Sequence, residues 1–232
     1  MDGVVVATVL GFIAAGGLLI FISTLDIPDL SAFEQRRVLQ STKIYDRTGE
    51  IVLYDLNQDV KRTVIPYENI SHHIKNATVA IEDDTFFSHW GVRPLAIVRA
   101  LYYNFTGGDL RGQGGSTITQ QVIKNALLSR EKSYIRKMKE AILALRLEQI
   151  LTKEEILWYY LNESPYGGTI YGVEEASRTF FGKSASDVTL AEAAYLAAIP
   201  QAPTYFSPHG NNRAALEDRK DRVLGRMLEL GF

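Results

Sequence analysis

A chain of 232 residues has room for one globular domain and a short appendage. Its 46% hydrophobic and 22% charged residues exclude a disordered tail, a collagen-like fibre and a low-complexity linker. A net charge of −2 argues against a wholesale nucleic-acid binder, and the absence of cysteine removes disulfides, thiolate metal sites and cysteine nucleophiles.

The average conceals one segment. From Gly3 to Leu25 there are 23 residues without a charge, bounded by Asp2 and Asp26. At 1.5 Å per residue, about 20 helical residues cross a hydrocarbon core of roughly 30 Å. A cleaved signal peptide would want basic residues before the apolar run and a small-residue cleavage site after it. Neither is present, so residues 1–25 are predicted to be a retained transmembrane anchor. The nearest positive charges, Arg36 and Arg37, would by the positive-inside rule put the downstream flank in the cytoplasm.

Residues 26–41 read as a polar connector. Residues 42–54 predict a hairpin: Ile44 and Tyr45, a turn from Asp46 to Gly49, then Ile51 to Tyr54. Beyond Pro66 the pattern is mostly helical. Ser71 is placed to cap a helix to about Ile81. Residues 93–104 follow, with Pro94 in the first turn, where its missing N–H does little harm. Glycines at 107, 108 and 112, 114 and 115 mark a loop, and helical character returns at Thr117. In residues 133–151 the spacing of Ile135, Met138, Ile142, Leu145 and Gln149 predicts an apolar stripe, leaving the basic opposite face to solvent. Thr152-Lys153-Glu154-Glu155 has the form of a capping box and opens a helix to Leu161. Residues 190–198 predict an alanine-rich buried helix. Pro200, Pro203 and Pro208 fix an irregular stretch before a charged amphipathic helix at 212–230.

Three constellations could carry chemistry. The first is Glu82-Asp83-Asp84, followed by Phe86, Phe87, His89, Trp90 and Gly91. Adjacent carboxylates at a helix C-terminus repel one another and meet the negative end of the dipole, an arrangement that suits a general acid or base. A solvated acidic turn before an aromatic anchor accounts for the spacing equally well. His89 has no partner histidine at metal-ligand spacing.

The second is Gly115-Ser116-Thr117-Ile118-Thr119-Gln120-Gln121, with Lys124 and Asn125 beyond. A helix N-terminus behind glycines can hold an anion, although no Gly-Lys-Ser/Thr follows as a Walker loop requires. A plain cap explains Ser116 or Thr117 but not the Gln120-Gln121-Lys124-Asn125 set. The third is residues 124–146, where seven cations face only Glu131 and Glu140, a local charge of +5. Glu140 points away from the apolar stripe, flanked by Arg136 and Lys137, and such a basic face suits a phosphorylated substrate.

In order, Glu82-Asp83 with Phe86, His89 and Gly91, then residues 115–121, then Arg136-Lys137 with Glu140, then residues 153–162 ending Tyr160-Leu161-Asn162, then Arg219 with Arg222-Val223-Leu224, carry a resemblance. The chain resembles the peptidoglycan glycosyltransferase domain, glycosyltransferase family 51, over about residues 42–232. Such domains occur in class A penicillin-binding proteins and monofunctional transglycosylases.

The resemblance implies a mainly α, lysozyme-like, two-lobed helical domain with a small N-terminal β-hairpin, behind an N-terminal transmembrane helix. It implies inverting polymerisation of lipid II into β-1,4-linked glycan strands, with undecaprenyl pyrophosphate leaving. Glu82 matches the family's base and Glu140 its second essential carboxylate. It assigns substrate contact to Asp83, Phe86, His89, Arg99, Ser116, Thr117, Gln120, Gln121, Lys124, Asn125, Lys132, Arg136, Lys137 and Asn162. It implies no obligatory cofactor and no protein metal site, with room for a divalent cation, Mg or Mn.

The partners implied are lipid II, the growing strand, the membrane, and a fused or separate transpeptidase with other wall-synthesis proteins, but no nucleic acid. It places a single-pass protein in the cytoplasmic membrane with the domain outside, against the weak signal of Arg36 and Arg37. In that setting the run 100–105, rich in Leu, Tyr and Phe, is a candidate membrane contact. Departures are Lys132, where relatives often carry Arg; Gln201, where some carry Lys; and an altered loop at 163–168. A transpeptidase domain is absent from this chain, which fits either a monofunctional enzyme or a fragment. The alternatives are a lysozyme-like glycan-cleaving enzyme, which would need an acid opposite the base, and an inactive membrane scaffold.

Overall fold

The computed structural model describes residues 60–94, 115–128 and 133–232, the strand segments 42–48 and 52–56, and isolated positions among the first 30 residues. The connector apart from Leu30, the predicted helix at 93–104 beyond Pro94, the run 100–105, Arg99 and Lys132 lie outside the described residues, as does most of the predicted anchor. Among the described residues no helix is long and apolar enough to cross a membrane.

Strands β1 (Thr42–Tyr45) and β2 (Val52–Leu56) pair antiparallel, Thr42 opposite Leu56, with a register shift at Ile44/Tyr45. Thr48 Oγ1 donates to Asp46 across the turn, at 2.7 Å. A second sheet has no signal in the sequence pattern. In it β3 (Lys61–Arg62) runs parallel to β5 (Ile170–Tyr171), which pairs antiparallel with β4 (Pro165–Gly167). This sheet ties the entry of the helical domain to a point more than one hundred residues later.

Helix α1 (His72–Glu82) starts where Ser71 Oγ accepts the His73 amide, at 3.2 Å. Helices α2 (Ile118–Leu127) and α4 (Lys153–Glu163) both begin with complete capping boxes, Thr117 with Gln120 and Thr152 with Glu155. Helix α3 (Tyr134–Ile150) is capped by Ser133, whose Oγ accepts the Arg136 amide at 3.0 Å. Each cap satisfies donors that the first turn leaves open.

Helix α5 (Val173–Phe181) begins without a capping side chain, from Gly172 at φ +79°, and ends at left-handed Gly182. Its start therefore carries no Ser/Thr/Asp signal. Gly172 is needed there because a Cβ would lie 2.7 Å from the Asn162 carbonyl oxygen. Helices α6 (Leu190–Ala198) and α7 (Arg213–Leu230) complete the chain.

The helices pack in two groups. Helices α1 and α7 close on α6, whose alanines allow near approach. Helix α2 packs against α3 and α4, and α5 links α4 to α6. One continuous core serves both, from Ile74 and Phe86 through Ile118, Leu143 and Leu157 to Leu196 and Val223. The architecture is mainly helical with a small sheet component, as expected.

The face of α3 is a correction. Ile135 and Leu145 of the predicted stripe are 50% and 42% exposed, and Gln149 is exposed. The buried face is Leu143, Ala144 and Leu147 together with Glu140. Both faces of this helix repeat apolar residues at helical spacing, so periodicity alone is degenerate. Packing selects the Ala144 face because Gly91 lies directly against it: a Cβ on Gly91 would stand 2.7 Å from the Ala144 carbonyl oxygen.

Candidate active site

Glu82 is the last residue of α1, where that helix meets the other group. Gln121 Nε2 of α2 donates to its Oε2 at 2.7 Å, and Arg219 Nη2 of α7 donates to its Oε1 at 3.2 Å. The Glu82 and Arg219 side chains are 9% and 8% exposed, so this ion pair is largely withdrawn from water. Beneath it lie Tyr160 and Tyr166. Burial, and after it the Glu82 carboxylate, pushes both phenols above the ordinary tyrosine value, so they stay neutral.

The three adjacent carboxylates do not share one environment. Asp83 turns inward: its carboxylate accepts the Ile118 amide at 3.0 Å and a bond from His89 Nε2 at 2.9 Å. His89 Nδ1 accepts the Gly91 amide at 3.1 Å, which leaves the ring proton on Nε2, aimed at Asp83. Asp84 turns outward to Arg93 at 2.7 Å and Arg226 at 2.6 Å. The repulsion expected along the sequence is thus removed by giving each carboxylate its own donors.

Glu140, 1% exposed, is the second carboxylate. Lys137 Nζ donates to its Oε2 at 2.6 Å and to Ser116 Oγ at 2.6 Å, so one ammonium joins α3 to the approach of α2. Arg136 Nε faces its Oε1 at 3.2 Å. Lys124 of α2 lies within electrostatic reach of both Glu140 and Glu82. Burial pushes its ammonium below the ordinary lysine value, against the pull of Glu140 and Glu82. Among the described residues Lys124 makes no hydrogen bond or ion pair.

The structure thus gathers Glu82, Gln121, Lys124, Ser116, Arg136, Lys137 and Glu140. Exposed Asn125 follows Lys124 on α2. Other expected substrate contacts are engaged within the fold. Thr117 and Gln120 are engaged in their reciprocal cap, and Thr117 Oγ1 also donates to the Gly91 carbonyl at 2.6 Å. Phe86 is wholly buried, with Lys153 Nζ over its ring at 4.6 Å. Asn162 is wholly buried too: its Oδ1 accepts the Ile65 amide at 3.0 Å, and its Nδ2 donates to the Trp158 and Ile65 carbonyls. Asp83 and His89 organise the turn that presents Glu82.

Two carboxylates with a basic face between them fit transfer of a group away from an anionic leaving group. A family model described as Transglycosylase matches residues 49–228. The chain belongs to the transglycosylase family.

Penicillin-binding protein 1A of Aquifex aeolicus is 42% identical over 93% of this chain and 30% of its own length. Penicillin-binding protein 1A of Rickettsia bellii is 38% identical over 92% of this chain and 27% of its own. The chain therefore spans less than a third of these curated relatives. A crystal structure of penicillin-binding protein 1A from Haemophilus influenzae aligns with a TM-score of 0.42 and 21% identity, over 84% of this chain and 19% of that one.

In this chain, Arg219 is the site residue that sequence reasoning does not place. It stands in the last of the five motifs, but its distance of 137 residues from Glu82 hides the pairing. Tyr160 and Tyr166 likewise read, in sequence, only as parts of a motif and a loop.

Proposed function

We propose that this transglycosylase domain polymerises lipid II into β-1,4 glycan strands. The observation that carries the reading is the pairing of a fixed carboxylate with a half-buried cation: Glu82 is held by Gln121 and Arg219, while Lys124 lies within electrostatic reach of both Glu82 and Glu140. The acceptor 4-hydroxyl attacks C1 of the donor sugar as Glu82 takes its proton. The C1–O bond to pyrophosphate breaks, its electron pair leaves with the phosphate oxygen, and the attack from the opposite face inverts C1. General-base assistance is typically worth about 10²–10⁴ in rate.

Lys124, Arg136 and Lys137 would stabilise the charge growing on the pyrophosphate, with Arg99 and Lys132 as further candidates for the same work. Glu140 would hold Arg136 and Lys137 in place, and Ser116 and Asn125 would line the path. Among the described residues no group of three or more His, Asp or Glu gathers as a metal cage. A divalent cation, Mg or Mn, would in this reading be carried by the pyrophosphate oxygens.

The glycan-cleaving alternative is disfavoured by Glu140. An inverting hydrolase needs a proton-donating acid opposite the base, whereas both Glu140 oxygens face cations. The two helix groups meeting at Glu82 support a lysozyme-like, two-lobed reading. The uncharged run from Gly3 to Leu25 supports a single-pass anchor in the cytoplasmic membrane, with the domain on the outer face where lipid II is polymerised. A transpeptidase, fused or separate, is the partner proposed.

The test is polymerisation of synthetic lipid II by the detergent-solubilised chain, wild type beside Glu82→Gln, with products sized on a gel. Polymer from the wild type alone is expected. No polymer from folded wild type overturns the activity, and a near-normal rate in folded Glu82→Gln overturns the base.

A further inference from the structure

We propose that Arg219 is a positioning residue for the reaction, holding the Glu82 carboxylate in the orientation from which it takes the acceptor's proton; this rests on the glycosyltransferase reading above. Three contacts fix the guanidinium. Its Nε donates to the Ala198 carbonyl at 2.9 Å, at the C-terminal end of α6. Its plane lies over the Phe206 ring at 5.4 Å. Its Nη2 then reaches Glu82 Oε1 at 3.2 Å. An arginine so braced has little rotamer freedom left, and its planar fork has a set direction.

The two Glu82 oxygens are treated differently. Oε2 takes a neutral amide donor from Gln121, and Oε1 takes the charged one from Arg219. Together they define the carboxylate plane, and each oxygen keeps a second lone pair for an incoming hydroxyl. The charged groups facing this pair are Lys124 from α2 and Arg222 on α7, with the neutral phenols of Tyr160 and Tyr166 below. Burial lowers the Arg219 guanidinium from its ordinary value, and Arg222 adds to this while Glu82 opposes it; the side chain stays a cation throughout the neutral range.

A merely structural strut from α7 to α6 predicts something different. It would need the Ala198 and Phe206 contacts but not the charge at Glu82. Arg219→Lys keeps a cation and loses the fork; Arg219→Gln loses both. We expect Arg219→Gln to lower kcat on lipid II by about 10²-fold, as for a displaced catalytic group, with the donor KM changed by less than about threefold. Arg219→Lys should recover part of kcat, with the donor KM again little changed.

An activity-independent measurement accompanies this: crystal structures of both variants should show the Glu82 carboxylate turned from its wild-type plane in Arg219→Gln. An unchanged Glu82 plane in that variant overturns the proposal whether or not the chain polymerises lipid II. So does an unchanged kcat in a folded Arg219→Gln. Wild type without activity condemns the glycosyltransferase reading instead, and leaves the structural comparison to decide the role of Arg219.

Discussion

Asp83 lies beside Glu82 in sequence, yet its carboxylate accepts the Ile118 amide at 3.0 Å, at the first turn of α2. The bond places a negative charge at the positive end of the α2 dipole and fixes α2, with Gln121 and Lys124, relative to Glu82. His89 completes the arrangement at 2.9 Å.

Asp83→Ala should therefore behave as a folding mutant. It removes a buried, charge-assisted cap and strands the His89 proton, a loss of about 2–4 kcal/mol by the cost of a cap and of a buried polar partner. Urea unfolding measures it. An unchanged midpoint with activity lost would instead make Asp83 a group that meets substrate.

Gly91→Ala should cost about 2–4 kcal/mol, from left-handed backbone strain and overpacking together. Gly91 sits at φ +83°, and the added methyl would stand 2.7 Å from the Ala144 carbonyl oxygen. Because Thr117 Oγ1 bonds the Gly91 carbonyl, the shift would reach the cap of α2. A variant as stable as wild type would show that the α3 contact yields easily.

Lys124→Met should separate stability from activity. Burial pushes the Lys124 ammonium down, so the folded chain holds that proton less tightly than the unfolded chain. Charged Lys124 then costs stability below its folded value, and the cost fades as pH rises toward the unfolded value of about 10.4. We expect a higher Tm at pH 7, a gain that vanishes at strongly alkaline pH, and a fall of about 10²-fold in kcat/KM for lipid II. A lower Tm at pH 7 would mark Lys124 as a structural ion-pair partner.

Lys137→Ala should leave buried Glu140 to Arg136 and the more distant Lys124, and release Ser116. Use of pyrophosphate-linked donor should fall about tenfold to a hundredfold, as when one preorganised donor is lost. The loss should be smaller in a Glu140→Gln background, because contacting residues couple. Unchanged donor kinetics in Lys137→Ala would remove Lys137 from the cation face.

The local elements of this chain are legible in its sequence. Ser71, Thr117, Ser133 and Thr152 all bond amides two or three residues ahead, so their signals need no knowledge of the rest of the chain. The hairpin at β1 and β2 is equally local. The two carboxylates and the cations near them can be read from motif order. Long-range choices cannot. The parallel pairing of Lys61 with Ile170, the use of Asn162 to tie down Ile65, and the start of α5 at a glycine depend on partners distant along the chain.

The sequence by itself determined where most helices begin and that Glu140 stands beside the cations Arg136 and Lys137. Tertiary structure alone decided which face of α3 is buried, and that Arg219 rather than an adjacent carboxylate is the neighbour of Glu82. The reason lies in the range of the forces involved. Capping and periodicity act within a turn or two of helix, whereas burial is decided by whichever surfaces close on each other. Here that closure is the approach of Gly91 to Ala144 and of α7 to α1.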